Sequence, residues 1–297
     1  MGRRTRREAP VTESLGPRRP APDGHRNPAL AGGDPGTKIA VEGLSIRFHK
    51  GVEALRDVSF EVSSGEFVAL VGPSGCGKST ALNALASLIP PAEAELTGKI
   101  RIDGVDIRQG GSRTVPLGYV FQRDTLFPWR TVLQNVEAGL EIQAKPRAER
   151  RATAKRLIDL VGLSGFEHYY PHQISGGMRQ RTSLIRTLAY DPQVILMDEP
   201  FGALDANTRL ILQAELIRIW SEHRKTILFV THDLVEAITL GERVIVLSKR
   251  PGRVRAIYEV PIPHPRDPFE LHGRREFADL HAAIWRSVSQ DFRGGER

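Results

Sequence analysis

Four groups of residues carry side chains suited to holding and cutting a chain of phosphates. The first is Gly72-Pro73-Ser74-Gly75-Cys76-Gly77-Lys78-Ser79-Thr80. Its glycines let the backbone turn tightly and aim several N–H groups at one point, where a following helix adds the positive end of its dipole. Lys78 can reach β- and γ-phosphates, and the Ser79 hydroxyl can ligate Mg²⁺. The second is Asp198-Glu199, two carboxylates that close the apolar run Val194-Ile195-Leu196-Met197. Both cannot enter an apolar interior without a cation or a proton. Facing a phosphate site, Asp198 would hold a hydrated metal and Glu199 would polarise an attacking water. The third is a pair of lone polar residues at the ends of apolar runs, Gln122 and His232. Gln122 suits water positioning or weak metal contact. His232 suits contact with a γ-phosphate, or, with Asp233, the capping of a helix. The fourth is Ser175-Gly176-Gly177, a capping serine and a second helix start open to phosphate.

These groups need elements to position them. Phe67–Val71, between Gly65 and Gly72, reads as a fully buried strand, and TALNALASL after the glycine loop reads as a helix. Strand, glycine loop and helix therefore stand in the order of a P-loop. Upstream, Ile39, Val41, Leu44, Ile46 and Phe48 alternate, then Leu55, Val58, Phe60 and Val62. The two segments form a hairpin or small antiparallel sheet joined through His49–Glu53. Phe48, near the loop end of a strand, can stack on adenine or simply pack, as its periodicity favours. Residues 99–109 give a short pair of strands around an Asp103-Gly104 turn.

Residues 117–122 form a buried strand ending in Gln122, and Thr131 caps the helix that follows. Between them, Phe127 and Trp129 suit either a core or a partner surface. Residues 147–190 are mainly helical and broken at Pro171. Further strands lie at 193–200, 226–232, 242–248 and 254–260, with a long helix at about 206–222. A weak amphipathic helix over 271–290 carries Phe277, Leu280, Ile284 and Val288. The alternation of strand and helix predicts an α/β P-loop NTPase fold with two subdomains.

Composition narrows the field less. The 297 residues are 40% apolar and carry a net charge of +7. Nucleic acid, an anionic ligand, an anionic membrane face or an ordinary basic surface all fit that balance. No stretch approaches the roughly 18 apolar residues of a membrane span. Cys76 is the only cysteine, so no disulfide forms within the chain. It reads as a small side chain in a tight loop. Residues 1–37 hold seven arginines and four acidic residues without apolar periodicity, as expected of a disordered basic arm without a secretory signal.

Together the motifs resemble the ATP-binding subunit of an ABC transporter, over residues 38 to about 265. GPSGCGKST at 72–80 is similar to that family's P-loop, and ISGGMRQR at 174–181 to its signature motif. Ile174 and Met178 depart from the commoner Leu and Gln there. VILMDEP at 194–200, ALD at 203–205, His232 and Gln122 resemble the Walker B strand, D-loop, switch histidine and Q-loop.

The resemblance implies an ABC ATPase domain at 38–265 with an N-terminal antiparallel β subdomain and a helical signature subdomain at about 128–190. A tail with a short helix would occupy 266–297. It implies Glu199 as general base, assisted by His232, Gln122 and Lys78. Nucleotide would meet Phe48, Gly72, Ser74, Gly75, Cys76, Gly77, Lys78, Ser79 and Thr80, together with Ser175, Gly177 and Asp205 across a pair of cassettes. Mg²⁺ would meet Ser79, Gln122 and Asp198.

LFPWRTVLQNV at 126–136 and LSKRPGRV at 247–254 are similar to the nitrate, sulfonate and taurine import branch. That branch implies a second copy of the ATPase, a separate permease dimer and, indirectly, an extracytoplasmic solute-binding protein. Its place would be the cytoplasmic face of the inner membrane, its cofactors ATP and Mg²⁺, and its solute a small anion such as nitrate or an organic sulfonate. Thiamine-precursor pyrimidines, cyanate, sugars and a non-transport switch are the alternatives. DNA-maintenance ATPases with similar motifs carry long coiled coils between P-loop and signature, whereas fewer than one hundred residues separate Lys78 from Ser175 here, with no heptad run. Two-cassette translation factors would show an internal repeat, and none is present. No nucleic-acid partner is expected.

Overall fold

The computed structural model describes residues 36–107, 117–202 and 204–293. The basic arm expected over residues 1–37 therefore falls almost wholly outside the described residues, as does the end of the strand pair expected at 99–109.

A four-stranded antiparallel sheet opens the chain. It contains β1 (Thr37–Phe48), β2 (Glu53–Ser63), β4 (Ala94–Ile102) and β5 (Val105–Asp106), in the order β2-β1-β4-β5. The β1–β2 hairpin is the one the alternation predicts, with register shifts along its length. β4 begins five residues before the expected start at 99 and pairs Ala94 with Phe48. Gly98 hides this strand in the sequence, because a glycine argues against a strand interior. Tertiary packing explains it. Gly98 has φ +89°, and a Cβ there would lie 2.5 Å from the Gly43 carbonyl oxygen of the neighbouring strand.

The second sheet has six strands in the order β10-β9-β3-β8-β7-β6. These are β3 (Phe67–Val71), β6 (Leu117–Val120), β7 (Val194–Asp198), β8 (Thr226–Val230), β9 (Arg243–Leu247) and β10 (Val254–Glu259). All neighbours pair in parallel except β9 and β10. A parallel sheet is covered on both faces, so its strands are apolar throughout. β3 shows the consequence. Phe67, Ala69 and Val71 join one core, and Val68 and Leu70 join the other.

The core containing Val68 and Leu70 lies between this sheet, α1 (Lys78–Leu85) and the small antiparallel sheet. The opposite core packs α2 (Val132–Ile142), α3 (Arg147–Leu160), α4 (Gly176–Ala189), α5 (Ala206–His223), α6 (Leu234–Leu240) and α7 (Arg275–Arg293). Its centre is aromatic. Phe67 meets Trp220 and Phe229 edge-on at 5.9 and 6.0 Å, and the Trp220 indole N–H donates to the Gly65 carbonyl at 3.1 Å. Such ring pairs add about 0.5–1.5 kcal/mol each beyond the area they bury.

The tail forms the helix expected over about 271–290, at Arg275–Arg293, and packs it more firmly than a weak amphipathic pattern implies. α7 runs for 19 residues and buries Phe277, Leu280, Ile284 and Val288 in the same core as β3 and α6. Nor does packing break at residue 265. Arg266 is buried and donates to the carbonyls of Ile238, Thr239, Gly241 and Ile262. Four apolar residues spread over twelve look weak as a pattern, but each falls on one stripe.

Candidate active site

The phosphate-binding candidates gather at the ends of β3, β7 and β8, adjacent parallel strands of the large sheet. β3 delivers the glycine loop. Gly77 caps α1 with φ +105°, and a Cβ there would lie 2.6 Å from Leu55 Cδ2 and 2.9 Å from the Ala54 carbonyl oxygen. Only glycine fits, so β2 presses directly on the loop. The helix starts at Lys78 itself, two residues before the TALNALASL segment. The Lys78 side chain is 5% exposed and is held by the loop's own carbonyls, with Nζ 2.8 Å from Gly72 O and 3.1 Å from Pro73 O. Ionised phosphate oxygens are stronger acceptors than these neutral carbonyls, so the ammonium is poised for exchange. The Cys76 side chain is buried in the core beneath the loop. Any contact with phosphate at that position is therefore through its main chain, and the thiol itself is no candidate.

β7 delivers the carboxylates. Ser79 Oγ donates to Asp198 Oδ1 at 2.9 Å. Burial pushes the Asp198 carboxyl above its usual range, with the charge of Glu199 adding to the rise and the Ser79 hydrogen bond and Lys78 opposing it. A hydroxyl and a crowded, partly desolvated carboxylate suit a hard divalent cation. Among the described residues no group of three or more His, Cys, Asp or Glu forms a metal cage. Mg²⁺ does not need one, since it commonly takes one or two protein ligands and completes its shell with phosphate and water. Tyr119, on β6, also faces this region. Burial and the Asp198 charge raise its pKa, and its hydroxyl donates to Asn83 Oδ1 on α1 at 2.8 Å.

Glu199 lies just beyond β7 in the left-handed region, at φ +45°. A glutamate there carries backbone strain, a common feature of functional positions. Its amide is fixed by the Val230 carbonyl at 2.9 Å. One carboxylate oxygen, Oε2, meets both lone polar residues picked out by sequence. Gln122 Nε2 donates to it at 3.3 Å, and His232 Nδ1 lies 3.1 Å away. His232 follows β8, and Gln122 lies two residues past the end of β6. The histidine does not cap α6. Asp233 does so, accepting from the amides of Val235 and Glu236. The Gln122 amide nitrogen is engaged by Glu199, while Ser79 and Asp198 pair with each other.

Ser175, Gly177 and Asp205 form a separate group. Ser175 caps α4, accepting from the Met178 amide at 3.3 Å, and a Cβ on Gly177 would be 3.5 Å from Leu204 Cδ2. Asp205 caps α5 through the Thr208 amide at 3.0 Å, which holds its carboxyl below the ordinary range. Phe48, at the end of β1, is partly buried against the small-sheet core. Ala203 lies outside the described residues.

Sequence reasoning missed Arg250. Its Nε donates to the Gly75 carbonyl at 3.0 Å, which ties the β9–β10 turn to the glycine loop. The signal available was the LSKRPGRV segment, noted for its resemblance and assigned no task.

Comparison with known proteins agrees with this geometry. A family profile described as ABC transporter matches residues 55–202. An uncharacterized ABC transporter ATP-binding protein of Methanocaldococcus jannaschii is 49% identical over 233 residues, covering 77% of this chain and 85% of that protein. The chain belongs to the ABC transporter ATP-binding family. The taurine import ATP-binding protein TauB of Rhizobium johnstonii is 45% identical over 245 residues, 81% of this chain and 91% of its own. The aliphatic sulfonates import ATP-binding protein SsuB of Bacillus cereus is 42% identical over 231 residues, 77% and 88% of the two chains. Among solved structures, the dimeric ABC transporter cassette MJ0796 matches with a TM-score of 0.67 and 33% identity, covering 76% of this chain and all of that one. The same cassette in a post-hydrolysis state with ADP and Pi gives the same TM-score at 32% identity. As an ABC ATPase, this chain binds and hydrolyses ATP.

Proposed function

We propose that this ABC ATPase energises import of an organic sulfonate such as taurine, with ATP hydrolysed at a Mg²⁺-dependent site shared between two copies of the chain. The observation that carries the hydrolytic part is the convergence of Gln122 and His232 on one oxygen of Glu199, beside the Ser79–Asp198 pair. Bound by Ser79 and Asp198, Mg²⁺ would neutralise charge on the β- and γ-phosphates. Lys78 leaves its carbonyls for those phosphate oxygens. Glu199 takes the proton of a water whose oxygen attacks the γ-phosphorus. The bond to the β-phosphate oxygen breaks, and ADP and phosphate are the products. Gln122 and His232 hold the Glu199 carboxylate in place while this happens.

The second copy is supported by the two separate phosphate-friendly loops in one chain, and by the dimeric form of the related cassette. Ser175, Gly177 and Asp205 of one copy would complete the site of the other. The permease contact is supported by the loop after Gln122. Trp129 is 71% exposed, beside Phe127 at 5.6 Å between ring centres. The loop is built firmly. Asn135, fully buried, holds the Phe127 amide and carbonyl, and Arg179 and Arg186 of α4 bind Asp124 and Thr125. A rigid loop with an exposed aromatic tip supports a partner surface there, since aromatic anchors often dominate interfaces. Among the described residues no helix is long and apolar enough to cross a membrane. The import named for the TauB and SsuB relatives supports a separate membrane-spanning permease that this chain meets at its cytoplasmic face. Names of the related TauB and SsuB chains support the sulfonate class.

Glu199→Gln tests the mechanism. With MgATP it is expected to lose hydrolysis at least about a hundredfold and to accumulate as a species of doubled mass. Turnover at the wild-type rate would overturn the assignment. Titrating a solute-binding protein found in the genes beside this one with taurine, alkanesulfonates, nitrate and a sugar tests the solute, and binding of the sugar alone would overturn the sulfonate reading.

A further inference from the structure

Two loops in this site leave the sheet side by side. One follows β7 and carries Leu204 and Asp205 into α5, and the other follows β8 and carries Thr231, His232 and Asp233 into α6. One side chain touches both. Arg209, in the first turn of α5, donates from Nη2 to the Leu204 carbonyl at 3.2 Å. Its Nη1 lies 3.7 Å from Asp233 Oδ2, and its Nε lies 3.7 Å from Glu236 Oε1. Both carboxylates are already committed to the histidine loop. Asp233 caps α6, and Glu236, 4% exposed, accepts from Thr231 Oγ1 at 2.7 Å. Thr231 Oγ1 in turn accepts from the Asp233 amide at 3.0 Å. The residues on either side of His232 are thus hydrogen-bonded to each other, and ion pairs of one guanidinium, whose Nε makes no hydrogen bond, link them to the segment that carries Asp205.

We propose that Arg209 is a positioning residue that locks the histidine loop to the Asp205 segment and so keeps His232 in register with Glu199. A planar fork can donate to the Leu204 carbonyl while its other nitrogens face two carboxylates, a spread that a compact ammonium cannot match. The two ion pairs are long, but the Glu236 carboxylate is buried and has few other charges to answer it, so removing the guanidinium loosens the loop. His232 is 3.1 Å from Glu199, and small misplacement of such groups is costly to a reaction. Because Asp205 belongs to the loop expected to meet a second copy, the same link passes the approach of that copy to His232. This inference rests on the hydrolytic roles given above to Glu199 and His232.

The test uses the full chain and steady-state ATP hydrolysis. Arg209→Met keeps the length and apolar stem. It is expected to lower kcat by roughly tenfold or more while KM and the affinity for a fluorescent ATP analogue change less than about twofold. Arg209→Lys should recover only part of the loss. Glu236→Gln, which keeps the Thr231 hydrogen bond, should lower kcat in the same way, and the double variant should be no slower than the worse single one. Unchanged kcat in both single variants, losses that multiply in the double variant, or losses that follow Tm and vanish on cooling would overturn the proposal. Should Arg209→Met not accumulate as folded protein, Glu236→Gln carries the test alone, with unchanged kcat as the overturning result. Failure here with an inactive Glu199→Gln would leave the hydrolytic site standing. An active Glu199→Gln would remove its basis.

Discussion

Lys78 shows how much one residue's surroundings do for its chemistry. A buried ammonium would be costly alone, but the Gly72 and Pro73 carbonyls hold it at 2.8 and 3.1 Å in the mouth of the loop. The residue therefore has a defined place before any phosphate arrives. Lys78→Ala is expected to reduce kcat/KM for ATP by about a hundredfold or more, through lost stabilisation of phosphate charge. Because the lysine is not part of a core cluster, the thermal midpoint of the chain without nucleotide should change little by comparison. A variant with unchanged kcat/KM would show that phosphate binds elsewhere. Glu199 illustrates the converse. Its φ of +45° lies in the left-handed region and its carboxylate meets two polar neighbours, Gln122 and His232, an arrangement that fits the general-base role proposed for it.

The element that most needs explanation is the segment joining β10 to α7. Arg266 donates to four backbone carbonyls, three of which, from Ile238, Thr239 and Gly241, are at or just beyond the C-terminal end of α6. Helix ends leave carbonyls without partners, and a cation there also meets the negative end of the dipole. Burial lowers the Arg266 pKa to about 10, which leaves it charged at neutral pH. Arg266→Met should cost about 2–4 kcal/mol, read as a fall in the denaturant midpoint, because several buried carbonyls lose their donor.

Two residues away, His264 stacks edge-on against Trp220 at 4.7 Å, and neither ring nitrogen makes a hydrogen bond of good geometry. Burial, with Arg266 and Arg224 nearby, pushes its pKa down to about 3. The unfolded chain then takes up the proton first, near pH 6.5. Stability from the neutral ring is complete above that pH and is lost as pH falls towards 3. Between pH 7 and 4.5 the expected loss is on the order of 1–2 kcal/mol, discounted for solvent because the ring is only partly buried. His264→Leu should flatten the dependence of the thermal midpoint on pH over that interval. An unchanged slope would assign the acid sensitivity to other groups.

At the scale of the whole molecule, the nucleotide loops and the exposed aromatic loop are mechanically joined. Gln122 touches Glu199, and the residues after it are tied to α4, whose start carries Ser175 and Gly177. Hydrogen bonds join Gln122 to Glu199, and join α4 to Asp124 and Thr125 in the loop that carries Trp129. Trp129→Ala is expected to weaken co-purification with the permease by about 2 kcal/mol or more, or to uncouple transport, while basal hydrolysis by the free chain survives. Transport and co-purification both unchanged would return Trp129 to the ordinary surface. The same scale makes sense of Arg209, which joins the histidine loop to the face expected to meet a second copy.

The sequence by itself determined the kind of chemistry and the order of the elements that hold it. GPSGCGKST, the Asp198-Glu199 pair, Gln122 and His232 are each local patterns whose meaning follows from residue type and from the apolar run beside them. β3, β7 and β8 were legible because a strand buried on both faces is an uninterrupted apolar run. The capping roles of Thr131 and Ser175 were legible for a similar reason, since a cap acts within one turn. What depended on distant partners was not legible. The glycine inside β4 follows from the close approach of Gly98 to Gly43 on β1, and the inward turn of the Cys76 thiol follows from the core beneath the loop. The packing of α7 and the capping of α6 by Arg266 join residues 25 to 28 positions apart or more. The contacts of Arg209 and Arg250 likewise arise only when separate loops are brought to one end of a sheet. Local propensity and periodicity are read along the chain. A guanidinium finds its carbonyls only after the chain has folded around it.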